Sequence, residues 1–304
     1  QHQAVVKQKT EGPQRTILRK LLIASEETLD CPLTHTEVKD NLLAIIGNGY
    51  ETVATTLSMT LQALVHHPEA LEQATQEAQS VIERYGQQLT SEAVMELTYL
   101  EAVLYESMRL YPAVAGLQRV SLAEDVLDDW SIPTGQAVGV TLQPLHLDSQ
   151  YYGEEPTVFN PDRYLQHAST QKIQTVSTPA KQETASASRC PFARLGLKEQ
   201  TGKENSATVL PLTFGYGSRQ CLAKHLALYE MKIVLAMLLN AFKFECVDDT
   251  TVELELGKFG LFISAHPKTP ITLRVSSRIG TEKATNHKTF QNTITSKQKA
   301  LVYQ

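Results

Sequence analysis

A mainly α-helical fold with small β-sheets is what this sequence predicts, and three observations predict it. Apolar residues recur at helical spacing in long stretches between Thr34 and Leu110 and again after Cys221. Short β-like pieces, punctuated by proline and glycine, occupy Val120 to Val140 and the region beyond Asn240. The 304 residues, 42% of them hydrophobic and 20% charged, can bury a sizeable core in one large domain or two small ones.

The first long helix runs from Thr34 to Val65. Thr34 is a capping residue and Glu37, three positions on, completes a capping box. Its middle, Gly47-Asn48-Gly49-Tyr50-Glu51-Thr52, is unusual, because each glycine costs a helix roughly 1 kcal/mol against alanine. Something has to offset that cost.

Pro68 suits a first helical turn and opens a second helix that reaches about Tyr85 with a polar outer face, a purely structural element. A third helix begins near Leu97, carries Glu106 and Arg109, and ends by Pro112, whose ring pushes the preceding residue out of helical geometry. A small sheet follows, with Ile132-Pro133-Thr134-Gly135 as a turn. Residues 166–208, rich in Ser, Thr, Gln and Lys, bury too little apolar surface to order firmly and read as a flexible insertion. After the Cys221 loop a helix extends to about Asn240, followed by strands containing Phe242-Lys243-Phe244 and Ile271-Thr272-Leu273. Residues 1–275 thus form one unit and the polar stretch 276–304 a loose, disordered tail.

Composition narrows the function classes. A net charge of -5 with scattered Lys and Arg offers no basic field for nucleic acid. Cys31, Cys190, Cys221 and Cys246 lie too far apart for a close-paired zinc site or a disulfide-stapled secreted domain, which points to a reducing, intracellular compartment. The apolar run Ile233–Phe242 is too short to span a bilayer. Opening on Gln1 with neither signal peptide nor anchor, the chain reads as a fragment.

The chemistry centres on Phe214-Gly215-Tyr216-Gly217-Ser218-Arg219-Gln220-Cys221, a cysteine between a glycine-bearing loop and an apolar helix. A helix N-terminus favours the thiolate, and glycines allow a flat cofactor to approach the backbone. A lone cysteine there would more often be a buried structural residue. The whole string, however, resembles the haem-thiolate signature Phe-x-x-Gly-x-Arg-x-Cys-x-Gly of the cytochrome P450 family, matched by Phe214, Gly217, Arg219 and Cys221 and departed from at Ala223.

Three further motifs stand in family order. Glu106-Ser107-Met108-Arg109 resembles the Glu-x-x-Arg pair, and Phe159-Asn160-Pro161-Asp162-Arg163-Tyr164 the motif that adds a second arginine. The resemblance makes Glu106, Arg109 and Arg163 a structural triad holding the cysteine loop. Asn48, Gly49, Glu51 and Thr52 resemble the oxygen-binding groove, which implies that Gly49 leaves a gap beside the haem and that Thr52, with Glu51 or water, relays protons. The plain alternative is a mid-helix threonine bonded back to a carbonyl. Arg119 matches an arginine that reaches a haem propionate, a role shared with Arg219. His66, His67 and His146 lack helical ligand spacing and read as surface or capping residues.

The resemblance implies an N-terminally truncated cytochrome P450 fold holding haem b (iron protoporphyrin IX), with Cys221 as axial thiolate and the metal ligand. It implies a monooxygenase that inserts one oxygen atom from O2 into a small organic, apolar substrate, Val114 to Leu117 bordering the pocket. Electrons would come from NADPH-cytochrome P450 reductase or a ferredoxin-type donor. Membrane anchoring, at the cytosolic face of the endoplasmic reticulum, would require an absent N-terminal segment; otherwise the protein is cytoplasmic. A non-catalytic remnant is the alternative, since an open pocket releases reactive oxygen and loses substrate positioning. A redox thiol without haem would need a local base or resolving cysteine.

Overall fold

The structure, a computed structural model, describes residues 16–25, 32–165, 211–247, 254–256 and 265–278. The expected insertion at 166–208 and residues 279–304 of the expected tail lie outside these.

Helix α1 (Ile17–Ile23) is capped by the Thr16 side chain. Helix α2 (His35–His66) starts on the expected capping box: Thr34 Oγ1 accepts the Glu37 N–H at 3.2 Å, and Glu37 returns a bond to the Thr34 N–H at 2.8 Å. It runs unbroken through both glycines. Helix α3 (Pro68–Tyr85) begins at the expected proline. A short helix not expected from sequence, α4 (Ser91–Glu96), is capped by Thr90 and precedes α5 (Thr98–Leu110).

Every α5 residue from Tyr99 to Leu110 is buried, so α5 is the central rod of the molecule. Leu97, which precedes it, has no side chain that can cap. Glu77 on α3 does so across the interface, its carboxylate accepting the N–H groups of Thr98, Tyr99 and Leu100 at 2.8–2.9 Å. Helix α8 (Lys224–Ala241) packs against α2, α3 and α5. Its Lys232 reaches Glu101 of α5 at 2.7 Å, both side chains largely buried. Ala74, Ala78, Leu100, Leu104, Leu235 and Leu239 lie fully buried in this four-helix core.

The expected strand region is two hairpin-like pairs. Antiparallel β1 (Gly116–Val120) and β4 (Ala137–Thr141) pair Gly116 with Thr141, flanking the smaller pair β2 (Asp125–Leu127) and β3 (Trp130–Ile132). The expected turn returns the chain through Gly135, in the left-handed region at φ 83°, with the Gln136 N–H on Pro133 O. Two short helices follow, α6 (Leu142–His146) and α7 (Ser149–Tyr152). At the far end β5 (Phe242–Cys246) pairs antiparallel with β8 (Leu273–Ser277), and β6 (Leu254–Leu256) with β7 (Ala265–Pro267). Ser276 and Ser277 therefore belong to the sheet, two residues past the boundary read from their polarity, because backbone pairing with Lys243 and Phe242 holds them. Among the described residues no helix is long and apolar enough to cross a membrane.

Candidate functional site

Two glycines shape the cysteine loop. After a 3₁₀ turn at Leu212–Phe214 the chain adopts left-handed φ at Gly215 (70°) and Gly217 (68°), conformations side chains disfavour. The reversal brings the Cys221 N–H onto Phe214 O at 2.7 Å, closing the loop. Cys221 is exposed at its mouth. The expectation that the cysteine opens the helix directly is corrected: α8 begins at Lys224, after a turn in which the Lys224 N–H reaches Cys221 O at 3.3 Å. Ala223, where the family signature has glycine, sits at φ -94°, which alanine adopts without strain.

Behind the loop is a buried ion cluster. Both Glu106 and Arg109 are fully buried, joined by Nε to Oε2 at 2.8 Å and Nη2 to Oε1 at 2.7 Å. The other guanidinium hydrogens go to the carbonyls of His146, Pro156 and Val158, so all five donors are used. Burial pulls the Arg109 pKa down, but the bonds and charge of Glu106 outweigh it and the net shift is upward. Glu106 also accepts the Asn160 N–H at 2.7 Å, and Arg163 Nε lies 3.5 Å from the same oxygen. Arg163 spends its other donors on Tyr152 O and Glu155 O. One carboxylate and two guanidinium groups thus meet in one place.

Cluster and loop are tied together by a residue that sequence reading set aside. His146 is 1% exposed, not on the surface: its Nδ1 faces Arg109 O at 3.2 Å and its Nε2 the Leu212 N–H at 2.9 Å. Thr213 Oγ1 adds a bond to Met108 O at 3.2 Å. No helical spacing flags His146, because its partners lie 37 and 66 residues away. His66 and His67 do act locally, on Gln62 O and Ala63 O at the end of α2.

Gly49, Glu51 and Thr52 lie on α2, and Arg119 on β1, elements separate from the loop. Thr52 Oγ1 donates to Asn48 O at 2.6 Å, the backward bond of an ordinary helical threonine. A methyl group added at Gly47 or Gly49 would meet nothing within 4 Å. Arg119 and Arg219 are exposed, with Arg119 Nη1 on Gln118 O at 2.8 Å.

These residues fit a haem. Cys221 is a free, exposed cysteine, and a single protein thiolate is the donor that a haem iron, already held by its macrocycle, takes from the protein. Leu222, 93% exposed, and Leu226, Leu43, Ile46 and Tyr50 leave apolar surface uncovered on the cysteine turn, α8 and the first half of α2.

Comparison with known proteins gives one consistent answer. The family model described as Cytochrome P450 matches residues 1–273. The chain is similar to cytochrome P450 3A11 of Mus musculus, 30% identical over 81% of this chain and 41% of that protein. It is similar to cytochrome P450 3A6 of Oryctolagus cuniculus, 28% identical over 90% of this chain and 47% of that protein. The probable cytochrome P450 6d5 of Drosophila melanogaster is 30% identical over 75% of this chain and 38% of that protein. The chain thus spans less than half the length of these relatives.

Proposed function

Because this chain belongs to the cytochrome P450 family, we propose that it is the haem-thiolate portion of a monooxygenase inserting one oxygen atom from O2 into a small apolar organic substrate. The observation that carries the reading is an exposed Cys221 on a loop tied through His146 and Thr213 to the helix that carries the buried Glu106–Arg109 pair. Haem b, when bound, supplies the iron at which O2 is activated with electrons from a reductase or ferredoxin-type partner.

The chain's residues have distinct tasks in this reading. Cys221 would supply the thiolate that holds the haem, and Phe214 and Gly217 shape its loop. Arg219 and Arg119 would hold the haem propionates, Arg119 giving up its bond to the Gln118 carbonyl to do so. Gly49 provides clearance on α2. The Thr52 hydroxyl, its hydrogen parked on Asn48 O, keeps its lone pairs for an incoming donor and becomes a donor itself once that bond opens. Glu51 or a water passes protons to it. Glu106, Arg109 and Arg163 position the loop without touching the reacting atoms. The half-buried stretch Val114–Leu117 borders an apolar substrate.

The purified chain, reconstituted with haem and reduced under carbon monoxide, is expected to give the Soret shift diagnostic of thiolate ligation, and Cys221→Ser to abolish it. A wild-type spectrum without that shift rejects the site. The alternative is a non-catalytic remnant, in which a site open to water would lose substrate positioning. Reduced protein that consumes O2 and releases peroxide without oxygenating any apolar substrate would select it. Placement at the cytosolic face of the endoplasmic reticulum if the full-length form is anchored, and otherwise in the cytoplasm, is tested by fractionating cells that express it.

A further inference from the structure

His146 ends α6, and hydrogen-bond chemistry dictates its state. The Leu212 N–H can only donate, so Nε2, 2.9 Å away, must present its lone pair. The Arg109 carbonyl can only accept, so Nδ1, at 3.2 Å, must carry the hydrogen. Only the neutral Nδ1–H tautomer satisfies both partners. The pairing is reciprocal, since Arg109 Nη1 donates back to His146 O at 2.9 Å.

The two partners explain why this matters. Arg109 O belongs to the last turn of α5, where carbonyls have no partner within the helix. Leu212 begins the 3₁₀ turn leading through Phe214 to Cys221. One imidazole therefore joins the end of the central helix to the start of the cysteine loop. The Thr213 bond to Met108 O is the neighbouring tie.

We infer that His146 is a positioning residue whose neutral imidazole pins the Cys221 loop to the helix carrying Glu106 and Arg109. The consequence for ligation rests on the reading of Cys221 as the haem ligand; the pin itself does not. The groups facing the ring are Arg109 on α5 and Tyr152 on α7, whose ring meets it edge-on with centroids 6.4 Å apart. Burial and the Arg109 charge hold the imidazole pKa down to about 4, in keeping with the neutral form.

Two amide variants divide the functions of the ring. In His146→Asn the side-chain nitrogen can replace Nδ1 towards Arg109 O, but nothing reaches Leu212. In His146→Gln the longer side chain brings an oxygen to the Nε2 position. Hydrogen exchange of the unliganded chain, followed by mass spectrometry, should be about tenfold faster at the Leu212 amide in His146→Asn, with α5 unchanged, and near wild type in His146→Gln. Equal behaviour of the two variants, or wild-type exchange in a folded His146→Asn protein, overturns the inference. Ring ¹⁵N shifts of the unmutated chain provide a check independent of variant folding: Nδ1–H is expected, and Nε2–H or a doubly protonated ring at pH 7 overturns it. Neither readout requires haem, so a failed carbon monoxide spectrum would reject the Cys221 reading while leaving the pin standing. With haem bound, His146→Asn should also lower the thiolate-type share of the carbon monoxide complex.

Discussion

Glu106 and Arg109, one helical turn apart on α5, are both fully buried and joined by two bonds of 2.7 and 2.8 Å, while the three remaining guanidinium hydrogens bind backbone carbonyls. An arrangement that uses every donor of a buried cation ties α5 to the segment 156–158 and to α6 at once. Its energetic meaning lies in what breaking it would leave behind, an isolated charge away from water.

Glu106→Ala, which strands Arg109, is expected to lower unfolding stability by about 3–5 kcal/mol, read from urea titration. Arg109→Lys should recover little, because an ammonium cannot reproduce the planar fork and its five donors. Wild-type stability in either variant would contradict the assigned geometry.

Glu77 caps α5 from another helix, accepting three consecutive backbone N–H groups. Glu77→Ala should cost about 1–2 kcal/mol and Glu77→Gln, which keeps one acceptor oxygen without the charge, about half as much, measured by chemical unfolding. Faster hydrogen exchange should be confined to the first turn of α5.

Lys232 and Glu101 make a 2.7 Å ion pair between α8 and α5. Lys232→Met alone leaves the carboxylate stranded and should destabilise by about 3 kcal/mol, whereas adding Glu101→Leu should restore most of the loss. A double-mutant cycle that shows simple additivity would count against a direct pair.

Acid sensitivity follows from His146. The imidazole titrates near pH 6.5 when unfolded and near 4 when folded, so the unfolded chain binds the extra proton between these values. Stability from this group is complete above pH 6.5, declines as pH falls and is lost below about 4, by about 3 kcal/mol in total. Subtracting the pH profile of His146→Gln, which cannot titrate, should isolate that slope from the carboxylates.

Legibility tracked distance along the chain. The capping box of α2, the proline start of α3 and the end of α5 could be read from sequence because each depends on residues within about four positions. The Thr90 cap and acidic Glu92 of α4 were equally local, but six residues are too few for a periodic signal. Ser276 and Ser277 read as tail because polarity says nothing of a pairing partner more than thirty residues earlier.

At the candidate site, the sequence by itself determined the residue types: a cysteine after a glycine-bearing loop, a Glu-x-x-Arg pair on one helix face, and an Asp-Arg segment downstream. Those are local constraints of covalent geometry and helical spacing, and the family's order of motifs adds to them. Only the tertiary structure decided that Glu77 caps α5, that Lys232 neutralises Glu101, and that His146 is buried between Arg109 and Leu212. Such partners lie far apart in the chain, and a side chain's hydrogen-bonding state is set by whichever groups packing places within about 3 Å of it.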